Sequence, residues 1–408
     1  LLLGALAVAT ACGGGGSGGG SSGGGTGSVA VLVTDGPVDP GTFSHIFVTF
    51  TGITLIADDG GQVRIFDGRE TVDLRDVEDT ATLVGVGRDV PAGDYEKIRL
   101  DVDEIELVSA DDGSSSFPKL PPKLDLNPRG GFHVDDGELV LVQIDMDAGK
   151  SIHIVETGNG GLRFRPVVFV DILGSDDGRL VLLQGEVDSV GASSFLLCDT
   201  HAVSRRTAAA DDRDDFCVDV RVAGDTSFFD ENGDPAGLDD VQAGDDAGVL
   251  GRFEHEGESL VFDAEVVQLG EDVAAVDGEV ASEVGSDGRF ELDLDPGQGI
   301  VTDDGLLAVE LQPGTRIFSR EGEELGAGDL MVGDPARALG VLALSSSDDD
   351  VLKAAAVVVD VDAEEETQAE GEITSVTSGG ARIQVDTEGG SECVDVPASA
   401  DVFSVSSD

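Results

Sequence analysis

Tyr95-Glu-Lys-Ile-Arg-Leu-Asp-Val-Asp-Glu-Ile-Glu-Leu-Val108 decides the fold. Apolar side chains recur at every second position, Ile98, Leu100 and Val102, then Ile105 and Leu107, so an extended strand would carry one apolar and one acidic face. The period slips by one at Asp103-Glu104, as a β-bulge makes it do, and such a bulge bends an antiparallel sheet. Outward from this stretch, Val29-Ala-Val-Leu-Val33, His45-Ile-Phe-Val-Thr-Phe50, Glu138 to Asp147, Lys150 to Val155 and Leu162 to Ile172 are further short apolar or alternating runs between Asp-Gly, Asn-Gly and Pro turns. No amphipathic helix competes with them. Residues 29–175 read as one β domain, and Gly174-Ser-Asp-Asp-Gly-Arg179 marks its end.

Several ordered strings in this domain resemble a known family. Thr34-Asp-Gly-Pro-Val-Asp39, Ile46-Phe-Val-Thr-Phe-Thr-Gly-Ile53, Thr71-Val-Asp-Leu74, Val90-Pro-Ala-Gly-Asp-Tyr95 and Ile144-Asp-Met-Asp-Ala-Gly-Lys-Ser-Ile152 are similar to domain of unknown function 4382, found at the N-terminus of bacterial and archaeal lipoproteins. The resemblance implies a transthyretin/Cna-B-like antiparallel β-sandwich with Tyr95 in its core, and it carries no activity.

Beyond the boundary the chain repeats itself. Gly185-Glu-Val187, Gly278-Glu-Val280 and Gly371-Glu-Ile373 recur at a spacing of 93 residues, a period that means tandem small domains. At an offset of 89, Thr226, Phe229, Gly233, Asp240, Gly244-Asp245 and Leu250-Gly251 match Thr315, Phe318, Gly322, Asp329, Gly333-Asp334 and Leu339-Gly340. The pattern resembles domain of unknown function 5666, which implies a small OB-like β-barrel. The expected architecture is all-β: the sandwich, a repeat over 180–270, a second over 273–362, and a truncated third over 368–408. With no initiator Met at one end and half a barrel at the other, the chain reads as a fragment.

The first twelve residues, Leu-Leu-Leu-Gly-Ala-Leu-Ala-Val-Ala-Thr-Ala-Cys12, look like the second half of an export signal ending in a lipobox. In bacterial lipoproteins that cysteine is acylated, so Cys12 is the candidate lipidation site. Residues 13–28 are a Gly/Ser tether with a reach of about 20 to 25 Å. No Asp follows Cys12, which favours the outer membrane or cell surface over inner-membrane retention.

Composition narrows the function classes. Eighty-three Asp and Glu against 24 Lys and Arg leave a charge of −59, and the chain has no Trp and one Tyr. Phosphate would be repelled and aromatic stacking platforms are missing, so nucleic acid is excluded as a partner. With 40% apolar residues, the acids belong on folded surfaces rather than in a disordered tail.

Few residues point to chemistry. The five histidines, His45, His133, His153, His201 and His255, lie in separate segments without metal-ligand spacing. Asp101 and Asp103, Asp145 and Asp147, Asp293 and Asp295, and Asp360 and Asp362 are pairs that share a strand face, expected as solvated acids in so acidic a chain. Asp145 and Asp147, near Lys150 and inside the family-like string, are the candidate cation or calcium ligands. Asp230 to Asp240 mimics a calcium loop but lacks the EF-hand glycine and glutamate positions, and the matching Ser319-Arg-Glu-Gly-Glu323 keeps only the turn glycine, so a hairpin is expected. No nucleophile motif follows a strand.

The cysteines suggest a bond. Phe195 and Leu197 alternate inward, leaving Cys198 outward, and Phe216, Val218 and Val220 face in, leaving Cys217 outward. An exported protein meets an oxidising environment, so a Cys198–Cys217 disulfide is expected, stabilising its repeat by about 3 kcal/mol. At the 93-residue period the counterparts of Cys198 are Glu291 and Gln384, and Cys393 is left without a partner in its own repeat.

The expected role is that of a lipid-anchored, exported cell-envelope protein with a structural or binding function, not an enzyme, and without a cofactor unless calcium binds. The alternatives are a cation-dependent adhesion or ligand-binding module and a carboxylate-dependent hydrolase. The charge makes a direct prediction. As salt rises from about 0.01 M to about 1 M the Debye length falls from about 30 Å to about 3 Å, so the melting temperature should climb. A flat or falling calorimetric curve would mean that local pairing already neutralises the acids.

Overall fold

In a computed structural model of the chain, residues 25–35, 42–118, 123–148, 152–153, 163–164, 167–173, 180–201, 217–256, 259–271, 273–298, 300, 302, 305–344, 350–360, 372–376, 382–387 and 390–395 are described. The protein is all-β, as the periodicity predicts. The described residues up to Asp360 form one compact unit, and those beyond form a second.

The N-terminal strands are β1 (Thr26–Thr34), β2 (Phe43–Ala57), β3 (Gln62–Asp73), β4 (Thr82–Pro91), β5 (Gly93–Ser109), β6 (Ser115–Ser116), β7 (Lys123–Leu126), β8 (Phe132–Val134), β9 (Leu139–Asp145), β10 (Ile152–His153), β11 (Arg163–Phe164) and β12 (Phe169–Leu173). β10 and β11 pair with each other as a separate two-stranded sheet, and the other ten build two facing sheets. One runs β12-β9-β1-β4, and the other runs β3-β2-β5-β6 with β7 and β8 also paired to β5. The pairs are antiparallel except that β1 and β9 run parallel, Thr34 lying opposite Asp145, which the expectation of a purely antiparallel sandwich did not include. Consecutive strands cannot reveal this pair, because more than a hundred residues separate its members.

The decisive stretch behaves as its pattern requires. Ile98, Leu100, Val102, Ile105 and Leu107 are buried, and the register against β2 skips Asp103 between Thr49 opposite Glu104 and Phe50 opposite Val102. Tyr95 is in the core, stacked on Phe132, and its hydroxyl donates to the Pro91 carbonyl at 2.8 Å. Val29, Val31 and Val33 of β1 point into the sandwich, while Ala30 and Leu32 pack into the core shared with the first barrel. A strand covered on both faces reads as an unbroken apolar run, which is why Val29 to Val33 does not alternate.

The first repeat comprises β13 (Val181–Val190), β14 (Ser194–His201), β15 (Val218–Phe229), β16 (Pro235–Ala236), β17 (Asp246–Glu256) and β18 (Ser259–Leu269). Pairing runs β14-β13-β17-β18-β15, and β14 also pairs with β15, so the sheet closes into a five-stranded barrel whose β15–β18 contact is parallel. The second repeat, β19 (Val273–Val280), β20 (Arg289–Leu294), β21 (Leu306–Ser319), β22 (Glu324–Leu325), β23 (Pro335–Leu344) and β24 (Asp350–Val359), closes identically. In the second unit, β25 (Glu372–Val376), β26 (Arg382–Thr387) and β27 (Gly390–Asp395) form a three-stranded sheet.

The residues that recur in sequence are those the barrel needs. A Cβ on Gly185 or Gly278 would come within 2.3 Å of the Cys198 or Asp293 carbonyl oxygen, respectively, so the first strand can cross the second only with glycine there. Thr226 and Thr315 use their hydroxyls in the same way, donating to the Ala264 and Ala354 carbonyls and accepting from the Ala223 and Gln312 amides. Asp240 and Asp329 accept from the Gly237 and Gly326 amides, and Asp245 and Asp334 from Gln242 and Met331.

The two barrels meet face to face. Leu180, Leu182, Phe229, Leu250 and Val266 of the first pack in one cluster with Val273, Ala275, Phe318, Leu339 and Ala356 of the second. Each is the repeat counterpart of the residue in the same place in the other series, so the contact is isologous, related by a pseudo-two-fold axis. The turns agree: Gly233 abuts Lys353 of the second barrel, and Gly322 abuts Arg252 of the first. The symmetry predicts paired outcomes. Leu250→Ala and Leu339→Ala should each destabilise the chain by about 2 to 4 kcal/mol in denaturant titration, within about 1 kcal/mol of each other. A large effect of one and none of the other would refute the shared face.

Candidate functional site

The densest concentration of buried charge lies where the sandwich meets the second barrel. Between β3 and β4 the segment Leu74-Arg-Asp-Val77 forms a 3-10 turn, capped by Asp73, whose carboxylate accepts from the Arg75 and Ile46 amides and pairs with His45 Nδ1 at 2.7 Å. Leu74 and Val77 enter the sandwich core. At the end of β1, the Thr34 hydroxyl and the Asp35 amide both donate to the Val77 carbonyl at 3.0 Å, fixing the turn on the sheet. The polar residues of Arg75-Asp-Val-Glu-Asp-Thr80 are thereby presented to the barrel.

Three guanidiniums hold the contact. Arg337 on β23, 2% exposed, grips Asp277 on β19 through two nitrogens at 2.7 Å and reaches Asp76 and the Thr80 hydroxyl across the boundary. Arg320, following β21, pairs with Asp360 and Asp79 and donates to the Glu78 carbonyl. Arg75 pairs with Glu78 at 2.7 Å and with Asp295 of the barrel at 2.5 Å. Gln298 adds a donor to Asp277.

Six carboxylates thus face three arginines. Burial pushes Glu78 well above the usual carboxylate range; Arg75 opposes this, and Asp79, Asp35 and Asp277 add to it. Burial likewise raises Asp295 against the pull of Arg75. For Arg337 burial works downward, but Asp277 and then Asp76 and Asp79 overcome it and hold the guanidinium charged. Such an arrangement can lock two domains and can hold protons.

The residues singled out in the sequence fall elsewhere. Asp145 and Asp147 lie at the end of β9 beside β1, where Asp145 Oδ1 accepts the Asp147 amide at 3.0 Å and Asp35 Oδ1 accepts the Ala148 amide at 2.8 Å. Asp147 is buried, at a positive φ of 21°, rather than on a solvated face, because the end of β9 is drawn in by these turn bonds. Lys150 is outside the described residues. Among the described residues, no group of three or more His, Cys, Asp or Glu could hold a metal ion. Of the other acid pairs, Asp103 and Asp293 are exposed as expected, Asp103 alongside Arg69, whereas Asp101 with Arg64, Asp295 with Arg75 and Asp360 with Arg320 are largely covered; Asp362 is outside the described residues. The Asp230 loop is a hairpin turn, with Asp230 Oδ1 accepting the Asn232 and Asp234 amides and Phe229 opposite Pro235.

The disulfide joins Cys198 to Cys217 with S–S 2.01 Å. Leu197 opposite Val218 puts the two cysteines side by side, as the inward and outward pattern requires. Their counterparts differ from the arithmetic. The β19–β20 connection is two residues longer than β13–β14, since Val280 faces Leu292 where Val187 faces Leu197, so Asp293 rather than Glu291 occupies the place of Cys198. In the second unit Glu372 faces Asp386 as Glu186 faces Cys198, so Asp386 rather than Gln384 takes that place, and Cys393 lies opposite Gln384. Cys12 is outside the described residues. An open cleft of about 580 Å³ between sandwich and first barrel includes Arg88, which donates to the Cys217 carbonyl at 2.8 Å.

The sequence reading missed the three arginines. The repeats held the clue, since Gln184 and Gly248 stand in the first barrel where Asp277 and Arg337 stand in the second.

Residues 26–166 match the family described as Domain of unknown function (DUF4382). No curated protein matches the chain. Among solved structures, the crystal structure of wild-type single-stranded DNA binding protein from Thermus aquaticus is matched at 16% identity over 48% of this chain and 96% of that one, with a TM-score of 0.15. The barrels are defined by their own strand order and closure.

The junction makes a prediction about pairing. Arg337→Met leaves the largely covered Asp277 without its bidentate partner and should cost about 3 to 5 kcal/mol, whereas Arg337→Met with Asp277→Leu should recover most of it. Urea titrations of both variants check this, and an additive loss in the double variant would mean that the two residues act separately.

Proposed function

We propose that this chain is an exported, lipid-anchored cell-envelope protein whose sandwich and two barrels serve as one stiff structural or binding body. The observation that carries the reading is the fusion of the three domains. The sandwich shares an apolar core with the first barrel through Leu32, Leu83 and Leu141, the barrels share another, and the arginine junction closes the third side. Three domains packed this way suit holding a surface in place better than a hinged, substrate-enclosing motion.

The cell-envelope part rests on two features. A Cys198–Cys217 disulfide persists in oxidising compartments, which suits export. The Gly/Ser run before Thr26 suits a spacer between an acylated Cys12 and the sandwich, whose contact with the membrane would be through lipid rather than through basic residues. The outer membrane or cell surface is the proposed location, and the role is binding or structural rather than catalytic.

The test is the anchor. Full-length precursor with its own signal should partition into detergent and incorporate labelled palmitate, and Cys12→Ala should abolish both. Label retained after that change would overturn the lipoprotein reading, while loss of label with partitioning unchanged would assign membrane attachment to another part of the chain.

A further inference from the structure

We propose that the junction between the sandwich and the second barrel is a proton-operated latch, tight in mild acid and loosened as pH rises, with Glu78 as its titrating group. The argument begins with the charge count. Six carboxylates meet three guanidiniums inside one interface, an excess of three negative charges where water is largely excluded. Buried carboxylates beyond the number that cations can neutralise take up protons instead of ionising.

Glu78 is the group placed to do so. On its own turn it faces Arg75 and Asp79; from β1 it faces Asp35; from β19 it faces Asp277. Asp295, following β20, shares Arg75 with it, and Asp277 and Glu279 act on Asp295 in turn. Arg320 is held to the Glu78 carbonyl rather than to its carboxylate, and its own carboxylate partners are Asp79 and Asp360. Arg337 is taken up by Asp277 and Asp76. Arg75, paired with Glu78, is therefore shared with Asp295, while Asp79, Asp35 and Asp277 all oppose ionisation of Glu78.

The direction of the effect follows. Docked, the Glu78 carboxyl is held well above its ordinary range by burial. Undocked, it would return to water and to an ordinary value of about 4.3. The docked state then binds the proton more tightly. Docking is favoured while the carboxyl stays protonated and weakens as pH rises from the ordinary value through the raised one, by up to about tenfold per pH unit. The other two contacts are built on apolar clusters, and the acids that cross the barrel pair, Glu265 and Asp234, have Arg316 and Lys353 as cations, so the change centres on the seam between turn and barrel.

Hydrogen exchange of the full chain tests this, at about pH 5.5 and about pH 8.5, corrected for intrinsic rates, and in about 1 M NaCl to screen the general repulsion of the acidic surface. Peptides spanning 74–81, 275–280, 316–322 and 335–340 should open about tenfold or more readily at the higher pH, while those spanning 98–107 and 247–253 stay unchanged. Glu78→Gln should show the acid-level protection at both values. Unchanged protection at the junction, a loss spread evenly over all peptides, or the full pH dependence retained in Glu78→Gln would overturn the latch. Should that variant fail to fold, the wild-type series decides on the first two outcomes, either of which overturns the latch.

Discussion

Neutralising negative charge where domains meet is the constraint on which this structure depends. With 83 acids to 24 bases, an interface cannot be closed by chance pairing, and apolar faces or committed arginines must do it. Both devices are present. The sandwich and the first barrel, and the two barrels, use aliphatic and aromatic faces almost free of charge. The remaining contact encloses Arg75, Arg320 and Arg337, each less than a tenth exposed. A buried ion pair costs much of its Coulomb attraction in desolvation, so the cluster contributes specificity of docking more than stability.

That distinction explains how the repeats diverged. Within each barrel the recurring residues are glycines at strand crossings, threonine hydroxyls bridging parallel strands and aspartates capping turns, all serving the barrel itself. The differences lie where the environment differs. Gly248 and Gln184 of the first barrel give way to Arg337 and Asp277 in the second, where the sandwich turn arrives. Glu265 accepts from Arg316 across the barrel pair, whereas its counterpart Ala355 packs in the apolar interface, which breaks the local two-fold relation.

The extent to which the sequence is legible follows from the range of each interaction. Period-two burial is local, so the strands, the slip at Asp103 and the inward Tyr95 could be read from residues 95–108. The disulfide could be read because both cysteines sit one residue off an apolar face. The parallel β1–β9 pair and the arginine junction join residues 111 to 261 positions apart; a single sequence carries no signal for the first, and for the second only the divergence of Asp277 and Arg337 from Gln184 and Gly248, which does not name the partner turn. Fixed-period arithmetic misplaced the counterpart of Cys198 because an insertion of two residues in one hairpin shifts the register on only one side of the barrel.

The pairing of the barrels also limits how such an array can grow. An isologous face closes on itself, so the first two repeats cover each other's surface. The sequence of the third repeat agrees: by the 93-residue period, Leu180 and Leu182 correspond to Val273 and Ala275 and then to Glu366 and Gln368. Charged and amide side chains at those positions would be costly to bury in the apolar cluster that the first two repeats build. The first two repeats thus form a closed pair against the sandwich.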